Sequence, residues 1–499
     1  MCSFKAPAQS YILLMKNCSL IIFACINTAC LAAEVGQIDP DFKQPSFVTK
    51  NVNFSYVSKV ATTQRGKILI GGSFLRVSNV ERKNLAQLNE DGSLDTTFVI
   101  PQNLTPHDGP MAILCDGKIM IGAFLYGPDT ATPTTKGKKA VPILPFARIN
   151  SNGTLDDSFV RSYGGLGNPY HANYHAAHLD GSLICTFGFP HPEYRKLNPD
   201  GSLANDFNFA RPSEAQTIRF GQFDHKGRVI VSMTMRGDKK EEIHELLRLT
   251  PDGSQDATFT PTHSVGTRQD ARYVGSHQLC PDGGILFLMV RLNNGKNSWR
   301  LMRMSAEGHI DESFQSPEPP GDGGADTFAL QEDGKIICLD HVGGNSFDTR
   351  ATHVYRLNSD GSIDPTFPRK TARRIGWHGV TLQPDGKILL YGDTMVSPTR
   401  GEPIIIRLLN DPCVDELQVL SKRSVSWIRG GSAPAVTQTM FSLSVDEGKT
   451  WKALGLGTRG KEAWELEGLE LPPAGLVRAS GRNALGVVEQ TKRFLFEEQ

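Results

Sequence analysis

A recurring polar position is the first candidate for chemistry in this sequence. It stands eight residues before a glycine that repeats along the chain, and it is more polar and more varied than the positions around it. The position holds Ser58, Gly109, Asn173, Arg219, Gly275, Asp326 and His378. With the nearby Trp377, its polar members Ser58, Asn173, Arg219, Asp326 and His378 are predicted to form a ligand-facing rim. A solvated rim without a ligand is the alternative.

A rim of this kind could bind or catalyse. Hydrolysis of a glycosidic bond needs two converging carboxylates, and the polar position supplies only Asp326. No Ser-His-Asp order, nucleophile elbow, phosphate loop or dinucleotide fingerprint stands out. The sequence therefore favours a non-catalytic binding or scaffold protein. Its ligand is predicted to lie at one mouth of the ring that the repeats are expected to form. A polysaccharide hydrolase or lyase with its site at that mouth is the alternative, and no catalytic residue or cofactor is assigned.

Two patterns resemble metal sites. "HANYHAAH" places His171, His175 and His178 close together, but on a strand His175 and His178 face opposite sides. The alternate oxygen ligands from Asn89 to Asp95 resemble a calcium loop without its final bidentate acid. Asp-Gly turns explain the same residues, so no metal ligand is assigned and calcium dependence stays open.

"SVDEGKTW", Ser444 to Trp451, matches the Asp-box of sialidases, which is a structural hairpin turn in that family. Here we expect a tight turn held by Asp446, with Trp451 packed in the sandwich that the surrounding segment is predicted to form.

The elements that must position these residues come from two alternating motifs. The first is a glycine turn entering a strand, as in "DGKILLYGD" from Asp385, and it occurs seven times at a period of about 53 residues. The second is an apolar strand, an Asp-Gly turn and a Phe, as in "NSDGSIDPTF". Its phenylalanines are Phe98, Phe159, Phe207, Phe259, Phe314 and Phe367.

Each part of the motifs has a physical reason. Asp-Gly combines a residue that tolerates positive φ with a side-chain acceptor for the turn. The motif aspartate, such as Asp95, can accept backbone N–H bonds in the loop. A large apolar residue at a fixed place in every unit is predicted to pack as a wedge between neighbouring units. Six residues before the glycine the position is mainly apolar, so His175 and His277 there are predicted to be core histidines with a partner.

The two ends of the repeat region complement each other. "GQIDPDF", Gly36 to Phe42, is the tail of the second motif, and "PIIIRLLN", Pro403 to Asn410, is its front. This is expected when both termini build one blade of a ring. We therefore predict an all-β chain with a seven-bladed β-propeller over residues 34–412. An open β array is the alternative.

The pattern "DGKIL…RLN.DGSLD..F" resembles the delta-60 repeat family of bacterial exported proteins, over residues 36 to about 412. The resemblance implies a propeller-like β structure and little about activity. Departures are Ala204, Gln255, Glu307, and Arg65 or Lys226 before the turn glycine.

Residues 413–499 lack the repeat and read as short strands between turns, which predicts a small β-sandwich. "LVRASGRNALGVVEQ" resembles the late strands of fibronectin type III modules. Such modules commonly act as spacers or adhesion units.

The N-terminus predicts export. Lys16 precedes an apolar run from Cys18 to Leu31 with small residues after it, so residues 1–33 are predicted to be a signal peptide, with Met1 or Met15 as the start. Acylation at Cys30 is an alternative. We therefore predict a periplasmic, cell-surface or secreted protein whose partner is a surface protein or a glycan.

Composition excludes other classes of partner. The net charge is zero and no basic stripe occurs, which excludes nucleic acid. No later stretch is apolar enough to span a membrane. Five cysteines remain after cleavage, and Cys185 and Cys338, at equivalent repeat positions, are predicted to be small buried apolar residues. The oligomeric state is not predicted.

Overall fold

The computed structural model describes residues 35–49, 55–63, 65–125, 144–159, 173–188, 192–236, 242–261, 273–293, 296–317, 325–342, 351–397, 400–484 and 486–496. The predicted signal peptide and the Thr/Pro/Lys-rich insert at residues 127–139 lie outside these ranges. The described residues are strands, turns and irregular segments, as an all-β chain requires. None of them forms a helix with the length and apolar character that a membrane crossing needs.

The strands of the repeat region (residues 35–410) follow one another in short antiparallel steps. In chain order they are β1 (Phe47–Val48), β2 (Val57–Thr62), β3 (Ile68–Gly72), β4 (Arg76–Val77), β5 (Val80–Glu81), β6 (Leu85–Leu88), β7 (Leu104–Ile113), β8 (Ile119–Leu125), β9 (Leu144–Ile149), β10 (Asn173–Ala177), β11 (Leu183–Phe187), β12 (Glu193–Leu197), β13 (Ala215–Phe223), β14 (Val229–Arg236), β15 (Glu242–Leu249), β16 (Tyr273–Leu279), β17 (Ile285–Asn293), β18 (Lys296–Met304), β19 (Ala325–Leu330), β20 (Ile336–Val342), β21 (Ala351–Leu357), β22 (Lys370–Arg373), β23 (Ile375–Leu382), β24 (Ile388–Ser397) and β25 (Arg400–Leu408).

Within the described ranges these strands form seven repeat sheets and one small sheet, β1-β4-β5. Sheets 1 to 7 are, in chain order, β2-β3-β6, β7-β8-β9, β10-β11-β12, β13-β14-β15, β16-β17-β18, β19-β20-β21-β22 and β23-β24-β25. Each copy of the first motif thus supplies the hairpin between the first two strands of one sheet. The first strands contact one another in chain order, and β23 also contacts β2.

The turn between the first two strands has the predicted chemistry. In the copy before β24, Gly386 has φ +84° and its N–H donates to Gln383 O at 2.9 Å, while Asp385 Oδ1 accepts the N–H of Lys387 at 3.1 Å. In the fourth copy Lys226 replaces the turn aspartate, and Asp224 Oδ1 accepts its N–H instead at 2.9 Å. The repeated Asp-Gly pair is therefore a requirement of the backbone.

A substitution can separate this backbone requirement from packing. Gly181 has φ +92° and its nearest neighbour to an added Cβ is Pro199 at 3.5 Å, so Gly181→Ala is strained by conformation alone. We expect the free energy of unfolding to fall by about 1–2 kcal/mol in urea titrations. Gly71→Ala, in β3 with 3.8 Å of clearance and no positive φ, is the control and is expected to be neutral. Equal effects of the two changes would contradict this account.

The motif phenylalanines lie between consecutive sheets, which confirms the predicted wedge. Phe98 is 1% exposed and packs with Leu69 of sheet 1 and Ile119 of sheet 2. Phe159, Phe207, Phe259, Phe314 and Phe367 occupy the equivalent place in the next five interfaces. Phe42 is partly buried between sheet 7 and sheet 1.

An arginine two residues before the motif Asn fastens the second motif, and the sequence reasoning had missed it. Arg356 is fully buried, donates from Nε to Asp364 Oδ2 at 2.7 Å, and lies 5.2 Å over the ring of Phe367. Its Nη1 donates to Asn410 Oδ1 at 2.8 Å, in the next unit. The equivalent ion pairs are Arg148–Asp156, Arg248–Asp256, Arg303–Asp311 and Arg407–Asp39.

The motif aspartates accept hydrogen bonds as predicted. The N–H of Thr366 donates to Asp364 Oδ1 at 2.9 Å, and Lys335 lies 3.0 Å from Oδ2. Burial alone would raise the pKa of Asp364, but the hydrogen bonds from Thr366 and Lys335 and the charge of Arg356 hold it well below its usual range. The carboxylate is therefore ionised throughout the neutral and mildly acidic range.

The two ends of the repeat region meet, as predicted. Ile38 forms a β-bridge with Leu408, and the N–H of Gly36 donates to Leu409 O at 2.8 Å. Arg407 Nε donates to Asp39 Oδ2 at 2.8 Å across 368 positions of sequence. The first residues of the region therefore complete the last sheet.

Residues 413–496 form what we call the C-terminal sheet pair. Its strands are β26 (Cys413–Ser421), β27 (Ser424–Gly431), β28 (Gln438–Ser444), β29 (Lys452–Leu456), β30 (Thr458–Arg459), β31 (Ala463–Leu466), β32 (Ala474–Arg482) and β33 (Val487–Leu495). The sheet orders are β26-β27-β31-β30 and β29-β28-β32-β33. One apolar cluster, including Trp427, Phe441 and Trp464, lies between the two sheets.

The Asp-box turn joins β28 to β29 as a tight hairpin. Asp446 Oδ1 accepts the N–H of Thr450 at 2.9 Å, and Asp446 Oδ2 accepts its hydroxyl at 2.6 Å. Arg478 stacks over the Trp451 ring at 4.2 Å. The predicted tight turn is confirmed, whereas Trp451 is only partly buried and does not belong to the apolar cluster between the two sheets.

The cysteines behave as predicted. Cys185 and Cys338 are fully buried and form no disulfide. Burial raises the pKa of both thiols, so neither is a nucleophile at neutral pH.

Candidate functional site

A cavity of about 580 Å³ lies among the first strands of the seven repeat sheets. Every one of these strands supplies the residue that stands six positions before its turn glycine. These wall residues are Val60, Met111, His175, Gly221, His277, Phe328 and Val380. We call this space the central cavity.

The position six residues before the glycine was predicted to be buried, with His175 and His277 as core histidines that have a partner. Val60, Phe328 and Val380 confirm the burial, since each is at most 2% exposed, but the same position also lines the central cavity. Composition alone cannot separate the two environments, because a narrow cavity shields its walls from water almost as well as a packed interior does.

The two wall histidines have different partners. His175 Nε2 lies 2.9 Å from Thr186 Oγ1. His277 Nε2 is buried without a hydrogen-bond partner among the described residues. Gly221 stands between them in the repeat order, and a Cβ there would lie 2.0 Å from His277 Nε2. Gly221 therefore makes room for the imidazole. His178 lies elsewhere, 2.9 Å from Asp180, and His171 is outside the described residues.

The wall histidines predict a pH dependence of stability. Burial lowers the pKa of His175 and of His277 from 6.5 to about 4. In the unfolded chain both take up protons as the pH falls below 6.5, whereas the folded chain does not. Their contribution to stability is thus complete above pH 6.5 and is lost as the pH falls towards 4.

We expect the free energy of unfolding to fall by about 1–3 kcal/mol between about pH 7.5 and pH 5, measured in urea. The double change His175→Gln and His277→Gln should remove most of that fall. The exposed His309→Gln is the control and should leave it intact. An unchanged pH profile in the double variant would contradict the assignment.

The six predicted rim residues form three pairs: two residues line the central cavity, two have side chains outside the described part of the chain, and two lie off the cavity wall. Ser58 and the exposed Arg219 line the central cavity, together with the exposed Ser276, so the cavity reaches solvent at their end. Asn173 and Asp326 lie on β10 and β19, but their side chains are outside the described part of the chain.

The other two rim residues lie off the cavity wall. His378 is a third exposed, 2.8 Å from Asp393 Oδ1, and its ring lies 5.1 Å from Tyr56. Trp377 is a correction. It is 1% exposed and packs with Ile375 and Val380 between sheets 6 and 7, because its strand turns that side chain into the sheet interface.

The C-terminal sheet pair lies across the opposite end of the central cavity, which the sequence reasoning had not predicted. Arg482, Asn483 and Ala484 line the cavity there. Several hydrogen bonds attach the sheet pair to the repeat region. Ala435 N–H donates to Leu330 O at 3.0 Å, and Gln438 Nε2 donates to Asp224 O at 2.8 Å. Thr437 Oγ1 donates to Phe223 O at 3.0 Å, and Arg482 Nη2 donates to Ile113 O at 2.9 Å. The buried Glu332 adds an ion pair with Arg459 at 2.6 Å.

A family model described as "Domain of unknown function (DUF5122) beta-propeller" matches residues 66–98 and 331–367. These segments cover the hairpin and second motif of sheet 1, and the equivalent part of sheet 6. The repeat region has a β-propeller-type fold.

Solved structures with low identity include other propellers. The β-propeller domain of the Trilobed protease from Pyrococcus furiosus has 12% identity, a TM-score of 0.44, and covers 72% of this chain and 94% of its own. A structure titled as the eukaryotic initiation factor has 10% identity and a TM-score of 0.33, covering 93% and 96%. Scores this low carry no argument about function. No match was found among curated proteins.

Cationic side chains line the described wall of the central cavity. Lys59, Arg219 and Arg482 line it, and no Asp or Glu does so among the side chains that the structure describes. The described residues also contain no group of three or more His, Cys, Asp or Glu placed to hold a metal ion. The aspartates of the calcium-like loop are engaged locally, since Asp91 Oδ1 accepts the N–H of Ser93 at 2.9 Å. A pair of converging carboxylates, which the hydrolysis of a glycosidic bond uses, is not among these described wall side chains.

Proposed function

We propose that this is an exported, non-catalytic binding or scaffold protein whose ligand enters the central cavity at the end marked by Ser58, Arg219 and Ser276. The observation that carries the proposal is a single cavity lined by the first strands of all seven repeat sheets. Cavities of about 300–1,000 Å³ are the usual size of small-molecule sites. The rim predicted from the sequence supports the same end.

The proposal includes a closed seven-bladed propeller over residues 34–412. Three observations support closure: contact between β23 and β2, the Ile38–Leu408 bridge, and an apolar cluster that joins sheet 7 to sheet 1. A closed ring also covers the facing sides of the first and last sheets, which an open array would leave exposed to water.

We further propose that residues 413–499 are a fibronectin- or immunoglobulin-like sandwich. Taking the strands as A to G with C′ after C, the sheet orders correspond to A-B-E-D and C′-C-F-G. The Trp427 side chain, fully buried between the sheets, fits such a core.

Export rests on the predicted signal peptide of residues 1–33, with acylation of Cys30 as the alternative. A surface protein or a glycan is the proposed class of partner. Resemblance to the delta-60 repeats of bacterial exported proteins supports the location.

A blocking substitution tests the binding site. The chain of residues 34–499 is incubated with a panel of soluble and insoluble glycans, with and without calcium, and binding is measured by pull-down. Ser276→Trp places a large side chain on the exposed end of the cavity wall, and we expect it to reduce binding of any retained glycan at least tenfold.

Thr491→Trp is the matched control, because Thr491 is an exposed strand residue of β33 away from the cavity. Equal binding by the two variants would place the glycan site elsewhere. Retention of no glycan at all would reject glycans as the ligand and leave a protein-facing scaffold.

A further inference from the structure

Arg482 is a buried cation at the closed end of the central cavity. It is the last residue of β32 and is 6% exposed. Its Nη2 donates to Ile113 O at 2.9 Å, whereas its Nε is buried without a hydrogen-bond partner in the described part of the chain. The guanidinium is therefore anchored by one edge and incompletely satisfied.

The charge of Arg482 lacks a close counter-ion. Within the described ranges no carboxylate lies within ion-pair distance of it. Asp180 is the carboxylate that acts on it through space, but that group is paired with His178 at 2.9 Å and accepts the N–H of Ser182 at 2.7 Å. A buried guanidinium without a counter-ion costs several kcal/mol, so the native chain holds this group at a cost.

The same cavity holds a second unsatisfied polar atom. His277 Nε2 lacks a partner among the described residues, and His277 lines the wall with Arg482. By contrast, the wall amides are used internally, since Gln278 Nε2 donates to Phe328 O at 2.8 Å and Gln222 Oε1 accepts the N–H of Leu279 at 2.9 Å. Arg482 is thus a buried cationic side chain of the wall whose hydrogen-bonding capacity is not fully used within the described residues.

We infer that the central cavity binds a small molecule bearing an oxyanionic group (a carboxylate, sulfate or phosphate), which forms an ion pair with Arg482. The inference rests on the proposed binding function and deepens it by giving the ligand class. It also makes the C-terminal sheet pair a part of the binding site, because that pair supplies the cation.

The geometry limits the size of the ligand. The cavity holds about 580 Å³, and beyond it lies a space of only about 30 Å³ between Leu382, Pro434 and Ala484. A small acidic sugar fits this volume, whereas a polymer threaded from one face of the propeller to the other would meet the C-terminal sheet pair.

Paired probes test the inference. Isothermal titration calorimetry on residues 34–499 compares galactose with galacturonate, galactose 6-sulfate and galactose 6-phosphate. We expect at least one acidic sugar to bind at least tenfold more tightly than galactose, and its affinity to fall as NaCl is raised. The three acids distinguish which oxyanion is preferred.

Two variants assign the effect to the guanidinium. Arg482→Gln should weaken binding of the preferred acid at least tenfold and leave galactose unchanged, while Arg482→Lys, which keeps the charge, should retain a preference for the acid. Arg478→Gln is the matched control on the same strand, because Arg478 pairs with Glu489 at 2.8 Å and does not line the cavity. Circular dichroism and thermal unfolding confirm that each variant is folded.

The outcomes separate the two proposals. Equal affinity for acidic and neutral sugars, or an Arg482→Gln protein that binds the acid normally, overturns the oxyanion inference while a binding cavity remains. Binding of none of the four sugars by the wild-type chain overturns the oxyanion inference, and the glycan pull-down then decides the proposed function independently. If Arg482→Gln does not fold, loss of the acid preference in Arg482→Lys is the result that overturns the inference.

Discussion

Replacing Asp364 with alanine is expected to lower the free energy of unfolding by about 3 kcal/mol. The carboxylate is 2% exposed and lies against two cations, with Arg356 Nε at 2.7 Å and Lys335 Nζ at 3.0 Å. Its removal takes away the buried counter-ion of Arg356, which keeps its hydrogen bond to Thr366 and an ion pair with the more exposed Asp411. The change is measured by urea unfolding followed by tryptophan fluorescence and circular dichroism.

Asp360→Ala is the control for this prediction, because Asp360 is an exposed turn residue of the same repeat whose carboxylate accepts hydrogen bonds from Ser362. We expect a much smaller effect there. Replacing Arg356 and Asp364 together by leucine should cost less than Asp364→Ala, since no unpaired charge is left buried. An Asp364→Ala protein as stable as wild type would show that the ion pair gives no net stabilisation.

Truncating Phe98 to alanine is expected to destabilise the protein by about 3–5 kcal/mol, the usual range for a large buried aromatic side chain. Phe98 is 1% exposed and belongs to a cluster with Leu69 and Ala61 of sheet 1 and Leu104 and Ile119 of sheet 2. Alanine leaves a void that touches both sheets, so their mutual packing is weakened as well as the local contacts. Thermal and urea unfolding measure the loss.

Phe42→Ala provides a matched comparison at the equivalent place in the repeat, where the ring is only partly buried. We expect about half the loss seen for Phe98→Ala, because less apolar area is returned to water. Phe98→Leu should recover most of the stability. Equal losses for Phe98→Ala and Phe42→Ala would contradict the view that burial between sheets sets the cost.

Much of the fold was predictable because the residues of each repeat show what its turn and its interface with the next unit require. The Asp-Gly pair requires a turn with positive φ, and a phenylalanine that recurs once per unit indicates an interface between units. The complementary fragments of the second motif at Gly36–Phe42 and Pro403–Asn410 predicted that the two ends of the repeat region meet. These inferences needed only short-range physics and the count of copies.

The arginine of the second motif was missed for a physical reason. In "VYRLN" Arg356 alternates with apolar residues and resembles a solvent-facing position of a strand. Its partners Asp364 and Asn410 are separated from it in sequence, one of them in the next unit. One signal could have found it: an arginine recurs at this position in five of the seven repeats, the exceptions being Gln87 in the first and Lys196 in the third.

The candidate site was predictable only in part. Ser58 and Arg219 line the central cavity, because polar side chains persist where a strand meets solvent, and their contact with a ligand stays a prediction. Trp377 was wrong because the side a residue faces depends on the local bulge, and the register of β23 against β24 shifts between Trp377 and Gly379. Arg482 could not have been found, because nothing in "GRNALG" indicates which surface of the repeats the C-terminal sheet pair contacts.

The union of the two ends of the repeat region has a kinetic consequence. Gly36 contacts Leu409, directly after β25, and Asp39 contacts Arg407 of β25. Sheet 7 therefore stays incomplete until residues separated by 368 positions come into contact. Closing so long a loop carries an entropic cost that local contacts cannot offset early in folding. We therefore place this step last, after the individual hairpins have formed. Until then the outer edge of β25 is an unpaired strand, and the folding chain is most prone to aggregation in that interval.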